Sequence, residues 1–146
     1  EVGFGMQFPA GRMQLYLEEI GEPRDNALRI VVVEAATGGP AEPVPGLPGL
    51  VAMPIRTTTT SRRFEVSWSN YVSYTVTDES FYQPEDPPEV LSQLTEYASS
   101  TYLRTVMART PNAEFILQRP MRHWQLLCLN HIIDVVSASD PAVGYV

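Results

Sequence analysis

The chain has 146 residues, 44 % hydrophobic and 18 % charged, a balance that builds a folded core rather than a disordered polymer. Its net charge of −7 comes from 17 acids against ten arginines, with no lysine. Such a chain repels phosphate backbones and anionic lipid, which disfavours nucleic acids and membrane surfaces as partners. No apolar run reaches the roughly 18–20 residues of a membrane span.

Cys128 is the only cysteine, so neither an intramolecular disulfide nor a Cys-rich zinc site is available. A reducing, cytoplasmic compartment is expected on that ground. The first residues, "EVGFGMQFPAGRM", carry neither the charged start nor the long apolar stretch of a secretory signal. No cofactor is expected, since "GGPAEPVPG" has proline where a phosphate cradle needs N–H donors.

In chain order, Met13, Leu15 and Leu17 alternate with Gln14, Tyr16 and Glu18, the period of a half-buried strand. After the turn residues "GEPRDN", "ALRIVVVEAA" is apolar on both faces and reads as an interior strand antiparallel to the first. Residues 37–54 are rich in proline and glycine and predict a surface loop. Arg56, Arg62 and Arg63 flank "TTTTS" and are read as a solvated hairpin edge. Phe64, Val66 and Trp68 share parity with Val72, Tyr74 and Val76. That predicts one long strand kinked or bulged at Ser69-Asn70.

Asp86 followed by two prolines and Glu89 forms a capping-box pattern, with Val90, Leu91, Leu94, Tyr97 and Ala98 on one helical face. A second stripe, Tyr102, Leu103, Val106 and Met107, starts at a Ser100 or Thr101 cap and ends at Pro111. "NAEFILQRP" is expected to be a strand. "RHWQLLCLNHIIDVVSAS" reads as a closing strand, in competition with a helix from Asn130; its β-branched residues favour strand. The sum is a single α+β domain over 1–146. It is a twisted, mostly antiparallel sheet or partly closed barrel of about six strands, with one or two helices between residues 87 and 109.

Polar residues inside this frame are the candidates for chemistry. His123 and His131, eight residues apart, would be separated by roughly 26 Å on one straight strand, too far to share a metal; no metal is expected. Cys128 or Ser137 beside His131 would make a nucleophile–base pair, but Cys128 sits among leucines as a small hydrophobe. Asp78 and Glu79 end a strand and point to opposite faces; if one is buried it needs a partner such as Arg122 or His131. Asp134 lies on the same face as His131 in a helix and on the opposite face in a strand. The weak catalytic candidates are therefore His131, Asp134, Asp78 and Glu79.

Two stretches, "YVSYTVTDESF" and "LNHIIDVVSASDPAV", resemble a pattern in small, uncharacterised bacterial proteins. The resemblance carries no activity and transfers no residue role. The favoured expectation is a small, non-catalytic bacterial domain that binds a protein partner or forms a homo-oligomer, using Trp68, Tyr71, Tyr74, Phe81, Tyr82 and the Pro-rich loop. The alternative is a small-molecule binder or enzyme with a pocket near Asp78, Glu79, His131 and Asp134.

Overall fold

Strand alternation sorts this chain's side chains into three layers. The computed structural model describes residues 8–9, 13–37, 39–84 and 92–146. β1 (Leu15–Arg24) and β2 (Ala27–Glu34) form an antiparallel pair. They turn through Asp25-Asn26, where Asn26 adopts a left-handed φ of 63°, a conformation asparagine tolerates better than most residues. The Pro/Gly-rich segment follows, pinned by two short ladders. β3 (Ala36–Thr37) pairs with β6 (Ile55–Arg56), and β4 (Glu42–Pro43) with β5 (Val51–Ala52). Arg56, Arg62 and Arg63 pair with Glu42, Glu34 and Glu18. The segments on either side of "TTTTS" pair with residues 36–37 and 28–33 and not with each other, so the expected hairpin is not formed there.

β7 (Arg63–Trp68) and β8 (Tyr71–Asp78) replace the single long strand expected there. They lie in different sheets, because the chain bends at Ser69-Asn70 and is held in the bend from both sides. Tyr71 N–H donates to Asn26 O at 2.9 Å, and Ser137 Oγ–H donates to Asn70 O at 2.8 Å. A bulge opposite Ser137 then breaks the parity. Val72 packs under a helix, whereas Tyr74 packs between the sheets.

The segment expected to be helical from Asp86 is corrected in part. Asp86, Glu89, Val90 and Leu91 lie outside the described residues, and Leu94–Tyr97 is strand β9. Pairing with residues 123–126 decides this, overriding the helical spacing. α1 (Thr101–Arg109) is the expected second helix, with Ser100 as its N-cap. Residues 113–117 form a short helix, α2 (Ala113–Leu117), not a strand. Its Phe115 and Ile116 are exposed, so the apolar run that suggested a strand marks no buried face.

The closing segment is two strands, not one: β10 (Arg122–Leu127) and β11 (His131–Ser137), joined by a turn over residues 128–130. β12 (Ala142–Tyr145) ends the described fold. The strand orders are β1-β2-β7-β12 and β8-β11-β10-β9, every pair is antiparallel, and neither sheet closes into a barrel.

The two sheets pack face to face. Leu15, Leu28, Ile30, Val32, Phe64, Val66 and Trp68 meet Trp124, Leu126, Cys128, Ile133 and Val135 in one core, and Trp68 and Trp124 touch edge to face at 6.2 Å. On the outer side of the second sheet, Leu103 and Val106 of α1 pack with Met121 and Val136. The aromatic supply expected for an interface is largely consumed here: Trp68 is buried and Tyr71 and Tyr74 pack on the core, leaving Phe81 exposed. No helix among the described residues is long and apolar enough to cross a membrane.

Asn130 ties the layers together. Its Oδ1 accepts from Leu17 N–H at 2.9 Å, and its Nδ2 donates to Leu17 O at 3.2 Å. This bridges the β10–β11 turn to β1 in the other sheet. Asn130→Ala leaves two partly buried backbone groups without partners and is expected to cost about 1–3 kcal/mol, measured as a lower urea midpoint at unchanged m-value.

Candidate functional site

The outer face of the second sheet carries the polar residues. In the β10–β11 register Gln125 lies opposite Asp134 and His123 opposite Val136. The two-residue strand period therefore places His123, Gln125 and Asp134 on one face, away from Trp124, Ile133 and Val135. The neighbouring β9 adds Tyr97, which is register partner to His123. Ser100, three residues on, begins α1 above them.

These groups form one hydrogen-bonded cluster. His123 Nε2 and Asp134 Oδ1 are 2.7 Å apart, and His123 Nδ1 and Ser100 Oγ are also 2.7 Å apart. Gln125 Nε2 donates to Asp134 Oδ1 at 3.0 Å and to Tyr82 OH at 2.7 Å, while its Oε1 accepts from Tyr97 OH at 3.4 Å. Ser100 Oγ also accepts from Leu103 N–H at 3.0 Å, capping α1. The imidazole is held between two rings, Tyr97 stacked at 5.0 Å and Tyr102 tilted at 4.9 Å.

The bond inventory assigns the protons. A carboxylate only accepts, so Nε2 carries the hydrogen that points at Asp134. Neutral imidazole then offers Nδ1 as acceptor, and the Ser100 hydroxyl donates to it. In this state both ring nitrogens of His123 have a partner of the right kind. With imidazolium, the Ser100 hydrogen would have no acceptor among these bonds. Burial pushes the Tyr102 phenol above its ordinary pKa, opposed by bonds from Thr75 and Ser73 and reinforced by the Asp134 charge. Tyr102 is therefore a neutral hydroxyl at physiological pH.

Asp134 is 7 % exposed. Such burial is tolerable for a carboxylate only with partners, and both partners given above bind Oδ1. Above the cluster is a cleft of about 290 Å³, lined by Ser100, His123, Gln125 and Asp134 and walled by Tyr82, Tyr97 and Tyr102. A second cleft of about 370 Å³, with Met13, Leu15, Leu127 and Ile132 in its lining, also holds Glu79 and Cys128. Among the described residues no hydrogen-bonded set of titratable groups converges there.

The expected site residues are thus dispersed. Asp134 joins the cluster. His131 lies on β11 at odd parity, opposite in face to Asp134, as the strand alternative implied. Asp78 is the register partner of His131, and its Oδ1 accepts from Ser80 N–H at 2.9 Å, capping a 3₁₀ turn. Glu79 lies at the second cleft. Arg122 pairs with Glu96 and Asp140 instead of Asp78 or Glu79, and covers the Trp124 ring at 4.5 Å. Ser137 bonds Asn70 and Ser139 rather than His131. No group of three or more His, Cys, Asp or Glu among the described residues is placed to hold a metal ion.

Sequence reasoning treated His123 only as a distant partner of His131. Asn130, a turn-former inside an apolar run, was the available signal. A turn there folds 122–127 back on 131–137 and puts residues 123 and 134 on one face. Comparison of the chain with protein-family models, curated proteins and solved structures finds no match.

Cys128 is not part of this chemistry. Burial pushes its thiol up to about 12, so the nucleophilic thiolate is absent below strongly alkaline pH. In the native protein Ellman's reagent at pH 8 is expected to react with Cys128 only as fast as the chain unfolds, and at once in denaturant. Rapid native modification would contradict this.

Proposed function

We propose that this chain is a small cytoplasmic bacterial domain that binds a small polar molecule with a flat, aromatic-compatible body in the cleft beneath α1. The observation that supports the reading is the convergence of Ser100, His123, Gln125 and Asp134 on one open cleft with three tyrosine walls. Sites for small molecules combine apolar or aromatic walls with a few placed polar groups in this way. A buried His–Asp pair also stabilises a fold little more than apolar residues of the same volume would, so its place at the floor of a cleft favours ligand recognition over stability.

The test is amide NMR with para-nitroacetanilide, benzamide and phenol as probes at millimolar concentration. Shift changes are expected to cluster at Tyr97, Ser100, Gln125 and Asp134, and Tyr82→Ala should weaken binding about five-fold, the ~1 kcal/mol of one lost aromatic face. Shifts scattered over the surface, or none at all, would refute the reading.

A second reading, self-association, is favoured by a different feature. Leu47, Leu50, Val51 and Met53 in the Pro/Gly-rich segment are each more than half exposed, an apolar patch of the kind that marks contact surfaces. Sedimentation velocity should show a concentration-dependent dimer that Leu50→Ser with Met53→Ser converts to monomer. A wild-type monomer at all concentrations would remove this reading.

A further inference from the structure

Resting on the reading of the cleft as a ligand site, we propose that Ser100 is the nucleophile of an acyl-transfer reaction on small esters. His123 is its general base, and Asp134 positions the imidazole. The geometry is a continuous relay: Ser100 Oγ to His123 Nδ1 at 2.7 Å, and His123 Nε2 to Asp134 Oδ1 at 2.7 Å. Nucleophile, base and orienting carboxylate are thus within hydrogen-bond reach in the order such chemistry needs. The three side chains come from three elements, the α1 cap, β10 and β11, and all three border the cleft. Rings on both sides hold the imidazole in place, and Gln125 fixes the carboxylate from a second direction.

A structural role explains less of this arrangement. The α1 cap requires only a side-chain oxygen for Leu103 N–H, which Asn or Asp supplies equally well. A serine provides that oxygen and a hydroxyl proton aimed at a basic nitrogen. The positive end of the α1 dipole also lies next to Ser100. Such a positive end stabilises negative charge developing on a nearby carbonyl oxygen.

The step balances without a metal or an oxidant. Ser100 Oγ attacks the ester carbonyl carbon, its proton moves to His123 Nδ1, and the carbonyl π pair moves onto oxygen. When the tetrahedral adduct collapses, the carbon–alkoxy bond breaks and the alcohol leaves with the proton from Nδ1. Water, its proton taken by Nδ1, then attacks the acyl-serine. The carboxylic acid departs and Ser100 regains its proton. The tyrosine walls favour an ester with a flat aromatic part, of which para-nitrophenyl acetate is the simplest probe.

The experiment treats the full chain with an alkyl fluorophosphonate and maps the adduct by peptide mass spectrometry, alongside para-nitrophenyl acetate hydrolysis. One adduct on Ser100 and hydrolysis above the buffer rate are expected. Ser100→Asn, which keeps an oxygen for the α1 cap, should abolish both. His123→Gln should slow turnover about 10²- to 10⁴-fold, the usual worth of a general base. Asp134→Asn should lower kcat while the fluorophosphonate adduct on Ser100 still forms, only more slowly, the mark of a residue that acts through the imidazole.

An unlabelled Ser100 in wild-type protein overturns the proposal without any variant having to fold, as does an adduct on another serine or hydrolysis that survives Ser100→Asn. If Ser100 stays unlabelled while para-nitroacetanilide still binds the cleft, only the nucleophile falls and the ligand site stands. If para-nitroacetanilide fails to bind as well, both fall.

Discussion

A carboxylate in the middle of a sheet sets the terms for half of this molecule. Asp134 sits on β11 between Ile133 and Val135, both fully buried, where a polar side chain needs hydrogen-bond partners. His123 and Gln125 supply them from the adjacent strand. Satisfying His123 in turn requires a hydrogen-bond donor at Nδ1, which is Ser100, and Ser100 also accepts the N–H that starts α1. The registers of β9, β10 and β11 and the position of the helix follow from one hydrogen-bond requirement passed from atom to atom. A one-residue slip of β10 would turn His123 and Gln125 into the apolar core and leave Asp134 alone.

The opposite face of the same sheet obeys a simpler rule. Trp124, Leu126, Ile133 and Val135 meet the apolar face of β1, β2 and β7, and the two tryptophans fill the space between. The second sheet therefore works as a partition, dry on one side and hydrogen-bonded on the other. Close packing on the dry side fixes the backbone that carries the polar side.

Much of this was legible from local pattern. β1 and β2 show themselves by alternation and by a β-branched run, and α1 by its apolar stripe and its Ser100 cap, because each signal lies within a few residues of its cause. What was not legible depended on distant partners. Leu94 and Tyr97 have helical spacing, yet pairing with β10 makes them strand. Trp68 and Tyr71 look continuous, yet the bonds of the bend to the Asn26 carbonyl and the Ser137 hydroxyl divide them between sheets. The site suffered most: Asp134 was visible as a polar residue in an apolar run. Its partner His123, and Ser100 beyond the imidazole, lie 11 and 34 positions earlier, and only the β10–β11 turn and the helix placement bring them together.

The order in which the strands enter the sheets has its own consequence. The first sheet takes β1, β2 and β7 from the early part of the chain, but its edge strand β12 arrives only after all of the second sheet has been laid down. The Asn130 bridge likewise joins residues 113 positions apart. Few native contacts that close the sandwich are available to a growing chain, and such distant pairings form slowly. A chain that grows from its first residue therefore completes three strands of the first sheet before the strands that cover their apolar face exist.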